Sequence, residues 1–232
     1  MNLFPVSFVV RKRAIVQTTR KVRKGDTMSA MSFIRRFVFR LPEGETFTTR
    51  DCLNFGLRSA VDRALSRLVK NGIIRRLARG VFAYDPDGLR NYSDFEIAKL
   101  KAEAFGRKIA KHPAAIAQEL EIDTQDNLQE REDESVFSTD GHTSKFRAGD
   151  RTIHLKRSST RKMRLANSKA GHAVRALWHL GKKAVNGQTV IQALLRFNRL
   201  DRLDLKRSAR WIPAWLCDKF TYSRDWEPAH TA

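Results

Sequence analysis

From Ser32 onward, apolar residues recur at helical spacing. Phe33, Ile34, Phe37 and Val38 share one face with Arg35, Arg36 and Arg40 between them, and Pro42 and Gly44 follow, which predicts a first amphipathic helix. Thr48 or Thr49 is placed to cap a second, short helix holding Cys52, Leu53 and Phe55, and Gly56 ends it. Ser59 is the expected cap of a third helix. Its stripe is Val61, Leu65, Leu68 and Val69, Asp62 falls in the first turn, and Lys70, Asn71 and Gly72 supply a C-terminal charge and a stop. After Gly72 the period shortens to that of strands. Ile73 to Ala78, a turn at Arg79 and Gly80, and Val81 to Tyr84 predict a β-hairpin closed by Asp85, Pro86, Asp87 and Gly88.

Helical spacing returns from about Ser93 to Lys111, with Phe95, Ile97, Leu100, Ala104 and Ile109, and Pro113 is placed to restart a helix carrying Ile116 and Leu120. Further on, Val136 and Phe137, Lys145 and Phe146, and Ile153 to Leu155 are short strand candidates separated by Asp140-Gly141 and Gly149-Asp150. Three helices are predicted after them, over 168–182, 188–200 and 205–220. The pattern as a whole predicts an α+β chain. An N-terminal winged helix-turn-helix is followed by a C-terminal domain with a small antiparallel sheet and about three helices.

Charge divides the chain further. The 232 residues carry 45 Lys+Arg against 25 Asp+Glu, a formal net charge of +20, which calls for an anionic partner. Residues 1–27 hold seven Lys and Arg and no acid before Asp26, and they read either as a disordered basic arm or as sequence upstream of a true start at Met28 or Met31. Between Glu119 and Glu134 the sign inverts, with eight acids against Arg131 alone. The expected divisions are a basic arm at 1–27, the winged helix-turn-helix at 28–90 and a helical connector with the acidic stretch at 91–134. A C-terminal α+β domain at 135–220 and a tail at 221–232 complete them.

Helix, helix, capped helix and basic hairpin within about 55 residues suit a duplex, because a major groove about 12 Å wide admits one α-helix while a hairpin lies along neighbouring phosphates. With its stripe turned inward, the third helix presents Arg58, Ser59, Arg63, Ser66, Arg67 and Lys70 outward. Ser59 and the first-turn amides suit a phosphate, and Arg63 or Arg67 suits guanine edges. Arg75, Arg76 and Arg79 of the hairpin are candidate phosphate contacts, which position a protein without reading sequence. Lys156, Arg157, Arg161, Lys162 and Arg164 form a second basic run, either a solvated loop or a second contact for nucleic acid or a protein partner.

The run from Phe47 to Asp51, the run Gly56-Leu57-Arg58-Ser59-Ala60-Val61-Asp62-Arg63-Ala64-Leu65-Ser66-Arg67-Leu68-Val69-Lys70-Asn71-Gly72, and Ile74 to Phe82 together resemble the N-terminal winged-helix domain of AbiEi-like antitoxins of type IV toxin-antitoxin systems. A fainter likeness continues through Thr139 to Gly141, Ile153 to Arg157 and Ala176 to Gly181. The resemblance implies an autorepressor that binds the promoter of its own operon and counters a nucleotidyltransferase toxin encoded nearby. Two other readings keep the basic face: a DNA-binding regulator of a mobile element with no toxin partner, and an RNA-binding protein.

Other chemistry finds little footing. Cys52 and Cys217 stand alone without a CxxC, and none of the six histidines sits in an HExxH or beside a carboxylate cluster. There is no Gly-rich phosphate loop and no GxSxG, and Ser138 to Gly141 reads as a hairpin turn. The expectation is a protein that is not an enzyme and uses no cofactor or metal. Phe4 to Val10 is short for a secretory signal and its charges follow instead of preceding it, and no run of about 18 apolar residues suggests a membrane span, so a cytoplasmic location is expected. Trp178, Trp211, Trp215, Phe220 and Trp226 gather near the C-terminus as a core ridge or an interface ridge, with base stacking a more distant third reading. No pattern fixes an oligomeric state.

Overall fold

The computed structural model describes residues 29–122 and 133–221. The basic arm, most of the acidic stretch and the tail with Trp226 lie outside them. The chain divides into two compact units between Ala104 and Phe105, inside the stretch read as a connector.

In the first unit, α1 (Ala30–Val38) begins where Ser29 Oγ accepts from the Ser32 amide, and it buries Ile34, Phe37 and Val38. Strand β1 (Glu45–Thr48) leads into a 3-10 helix (Thr49–Phe55). The Asp51 carboxylate fixes that junction by accepting from the amide and hydroxyl of Thr48 at 2.8 and 2.9 Å. Helix α2 (Arg58–Lys70) follows, then β2 (Arg75–Ala78) and β3 (Val81–Tyr84). β1 and β2 both pair antiparallel with β3, and the register of β2 shifts between Arg76 and Ala78. Ser59 is not the helix cap: Leu57 is the extended residue before α2 and the helix already includes Arg58. The core joins the inner faces of α1 and α2 to Phe47, Phe55 and Phe82, with Phe37 edge-on to Phe47 at 5.6 Å and Phe47 stacked on Phe82 at 5.7 Å. Helix α3 (Asp94–Ala104) completes the unit.

The second unit holds β4 (Ile109–Lys111), α4 (Pro113–Glu119), β5 (Glu134–Thr139), β6 (Ser144–Ala148) and β7 (Arg151–Arg157), then α5 (Thr160–Arg164), α6 (Lys169–Leu180), α7 (Gly187–Leu194), α8 (Arg199–Arg207) and α9 (Ala214–Thr221). Its strands lie in the order β6-β7-β5-β4, and β5 runs parallel to β7. The core is helical, centred on Ala173, Val174 and Leu177 of α6 with Val190, Leu205, Leu216 and Phe220, and Trp178, Trp211 and Trp215 pack partly buried against it.

The expected fold class is therefore wrong. The chain is mixed α/β, with seven strands and nine α-helices among the described residues, in place of a small antiparallel sheet and about three helices. β1 and β4 fall in stretches that read as loop and helix, since runs of three or four residues show no usable period. The hairpin of β6 and β7 sends β7 back beside β5 in parallel, a pairing that local pattern does not encode. The helix expected over 205–220 is instead the end of α8, a 3-10 turn at Ala209–Trp211 and then α9, which opens directly after Pro213, a residue suited to a helix start.

Candidate nucleic-acid interface

Helix α2 has two faces of opposite character. Val61, Ala64, Leu65 and Leu68 are buried, while Arg58, Ser59, Arg63, Ser66, Arg67 and Lys70 are all exposed. The helical period alone brings these six together. Asp62, the one acid on the helix, is engaged by Arg58 at 2.9 Å, and Ser66 Oγ donates to the Asp62 carbonyl at 2.8 Å. Arg63 Nε donates back to the Ser59 carbonyl at 3.2 Å. No ion pair among the described residues involves Arg63, Arg67 or Lys70, so their charge is directed outward.

The hairpin tip is anchored from two sides. The Thr49 amide donates to the Gly80 carbonyl at 3.1 Å, and Lys101 Nζ of α3 donates to the Arg79 carbonyl at 2.8 Å. Gly80 has φ +80°, which a side chain resists and the tight turn requires. Arg76 and Arg79 are exposed. Burial, and after it the charges of Arg79 and Arg76, hold the Lys101 amine below its ordinary value. Sequence reading missed Lys101, because nothing in a connector helix signals that its ammonium reaches a turn 22 residues upstream.

Arg75 behaves differently from its neighbours. Its Nη1 pairs with Asp85 at 3.2 Å and donates to the carbonyls of Gly88 at 3.2 Å and Arg90 at 3.1 Å. The guanidinium also lies over the Tyr92 ring, 5.9 Å from its centroid. Arg75 thus pins the loop after the hairpin, although the sequence groups it with the outward arginines.

The second basic run is likewise drawn into structure. Arg161 donates to the carbonyls of Trp211 and Ile212, each at 2.8 Å, and its guanidinium lies 5.3 Å from the centroid of Trp178. Lys162 Nζ lies 4.8 Å from the same ring, and Arg164 sits 4.3 Å from the centroid of Trp211. Lys156 and Arg157, at the end of β7, remain exposed. Cys52 is a buried free thiol and Cys217 a partly buried one. Among the described residues, no group of three or more His, Cys, Asp or Glu is placed to hold a metal ion, and no helix is long and apolar enough to cross a membrane.

No curated protein matches the chain. The profile of DUF6088, a family of unknown function, matches residues 34–203, a span that holds the two-faced helix, the hairpin and the tryptophan-clasped basic segment, and the protein belongs to that family.

Proposed function

We propose that the protein is a DNA-binding transcriptional regulator that represses by occupying duplex DNA, with no cofactor and no chemistry of its own. The observation that carries this reading is the outward face of α2, where Arg63, Arg67 and Lys70 stand exposed and without an ion pair among the described residues, opposite the buried Val61, Ala64, Leu65 and Leu68. A helix held firmly on one side and cationic on the other suits a major groove, and the exposed Arg76 and Arg79 suit the flanking phosphates. Duplex RNA is the poorer fit, since its deep, narrow major groove excludes such a helix.

The likeness of residues 47–82 to AbiEi-like antitoxins supports a finer reading, an antitoxin that binds the promoter of its own operon and counters a nucleotidyltransferase toxin encoded beside it. A mobile-element regulator without a toxin partner would use the same DNA face, and the identity of the adjacent reading frame separates the two. Binding of the full chain to the duplex upstream of its own gene, followed by fluorescence anisotropy over a salt series, tests the core of the proposal. Replacing Arg76 or Arg79 by Ala is expected to lower the slope of log K against log salt by about 0.9 for each phosphate that is no longer neutralised. Failure of the full chain to bind that duplex in preference to unrelated DNA would refute it.

A further inference from the structure

Arg175 has no part in the DNA-binding reading. It lies in the middle of α6 and is 1% exposed. Its Nη2 donates to the Lys111 carbonyl at 3.0 Å, but Nε and Nη1, both buried, meet no hydrogen-bond acceptor. A guanidinium keeps its charge in any fold and presents five N–H donors, so burying it with donors unmatched and no counterion is strongly unfavourable. No ion pair among the described residues includes it, and burial pulls its pKa down to about 10.

The titratable groups that its charge reaches are His112, Lys162 and His172. His172, Arg175 and His179 lie three and four residues apart along α6 and so share one side of the helix. The His179 ring meets the His112 ring edge to face at 5.5 Å. His112 caps α4, with Nδ1 accepting from the Ala114 amide at 3.4 Å, which leaves Nε2 to carry the proton as a donor. Burial first, then the charges of Lys156, His179 and Arg175, hold His112 at about 4, so it is neutral near pH 7. Lys162 is lowered by burial and by Arg175. Glu119, the acid whose charge reaches His172, is tied to Lys111 at 2.6 Å. Lys156 is exposed and Lys162 partly so, and the charge of Lys156 reaches His112 while that of Arg175 reaches both His112 and Lys162.

We infer that this enclave binds a phosphate group, with Arg175 Nε and Nη1 as buried donors, His112 Nε2 as a neutral donor and Lys156 and Lys162 as the outer charges. Lys156 of β7, His112 just before α4, Lys162 of α5 and Arg175 of α6 would together offer several donors, which suits the several oxygens of a tetrahedral oxyanion better than a planar carboxylate or a halide. Inorganic phosphate and a small organic phosphate monoester share this chemistry, and they form the two arms of the test. The inference does not depend on DNA binding.

Thermal unfolding of the full chain is measured at pH 7.5 in phosphate, in glycerol phosphate and in chloride at matched ionic strength. The melting temperature is expected to climb by several degrees with phosphate concentration and to saturate. A response to both probes marks a site for the phosphate group alone, and a response to the ester only marks an organic phosphate. Arg175→Met is expected to fold and lose the response, because replacing a buried, uncompensated charge with a side chain of similar volume is often neutral or stabilising. Lys156→Met and Lys162→Met, at less buried positions, are expected to weaken the apparent affinity several-fold, which keeps the test decisive if the first variant does not fold. Arg67→Ala and Arg76→Ala should leave the response unchanged. A wild-type response no larger in either phosphate than in chloride, or one lost in Arg67→Ala and kept in Lys156→Met and Lys162→Met, would overturn the inference.

Discussion

Arg75→Ala and Arg76→Ala, one residue apart on β2, are expected to fail in different ways. Asp85 is 5% exposed, and Arg75 forms an ion pair with it at 3.2 Å. Removing the guanidinium leaves a buried carboxylate without that counterion and frees the carbonyls of Gly88 and Arg90. Breaking a fully buried pair costs about 3–5 kcal/mol, and a hydrogen bond to a charged group is worth about 1.5–3 kcal/mol. The Arg75 side chain is 43% exposed, so water reaches the site and screens part of the loss. A loss of about 2–3 kcal/mol results, which at a urea slope of roughly 2 kcal/mol/M lowers the midpoint by about 1 M or more. Arg76, exposed and without an ion pair among the described residues, is expected to change stability by no more than about 0.5 kcal/mol and to lose DNA affinity instead. Adding Asp85→Asn to Arg75→Ala removes the stranded charge and should restore much of the stability. An Arg75→Ala chain that unfolds like wild type while losing as much salt slope as Arg76→Ala would refute this reasoning and return Arg75 to the phosphate contacts.

Other outcomes follow from packing and protonation. A Cβ on Gly171 would overlap the Leu165 carbonyl, whereas one on Gly187 meets nothing within 4 Å. Gly171→Ala should therefore cost several kcal/mol or block folding, and Gly187→Ala should be neutral or stabilise by up to about 1 kcal/mol, both read by thermal unfolding. Leu65→Ala, at a position 1% exposed in the first core, is expected to cost about 3–5 kcal/mol in chemical denaturation. His112 is depressed in the folded chain to about 4 from an ordinary 6.5, so the unfolded chain binds the extra proton between those values. The stability it contributes is complete above about pH 6.5 and is lost as pH falls towards 4, a change on the order of 3 kcal/mol. His112→Gln should flatten that part of the pH profile, and an unchanged profile would remove His112 as its source.

The two-faced α2 was legible because a 3.6-residue period of apolar positions determines which side is buried, whatever the helix packs against. Arg75 and Arg76 could not be told apart by pattern, because what separates them is a buried Asp85 ten residues away and carbonyls beyond it. The clasp of Arg161, Lys162 and Arg164 on Trp178 and Trp211 joins segments up to 50 residues apart, so the same arginines read as a loose basic run. Arg175 drew no notice in sequence because one arginine on an apolar helix looks like a surface residue. Its burial depends on how the rest of the second unit packs over the middle of α6, where Ala173 to Leu177 are all buried. The parallel pairing of β5 with β7 is likewise set by how the chain turns back and by no local composition.

That α2 reads a duplex is tested most directly by competition binding of the full chain, comparing the duplex upstream of its gene with unrelated duplex of equal length at one salt concentration. Arg63→Ala or Arg67→Ala is expected to cut the preference for the upstream duplex by about 1–3 kcal/mol while largely sparing binding to unrelated DNA. Equal losses on both duplexes from Arg63, Arg67, Arg76 and Arg79 would contradict it.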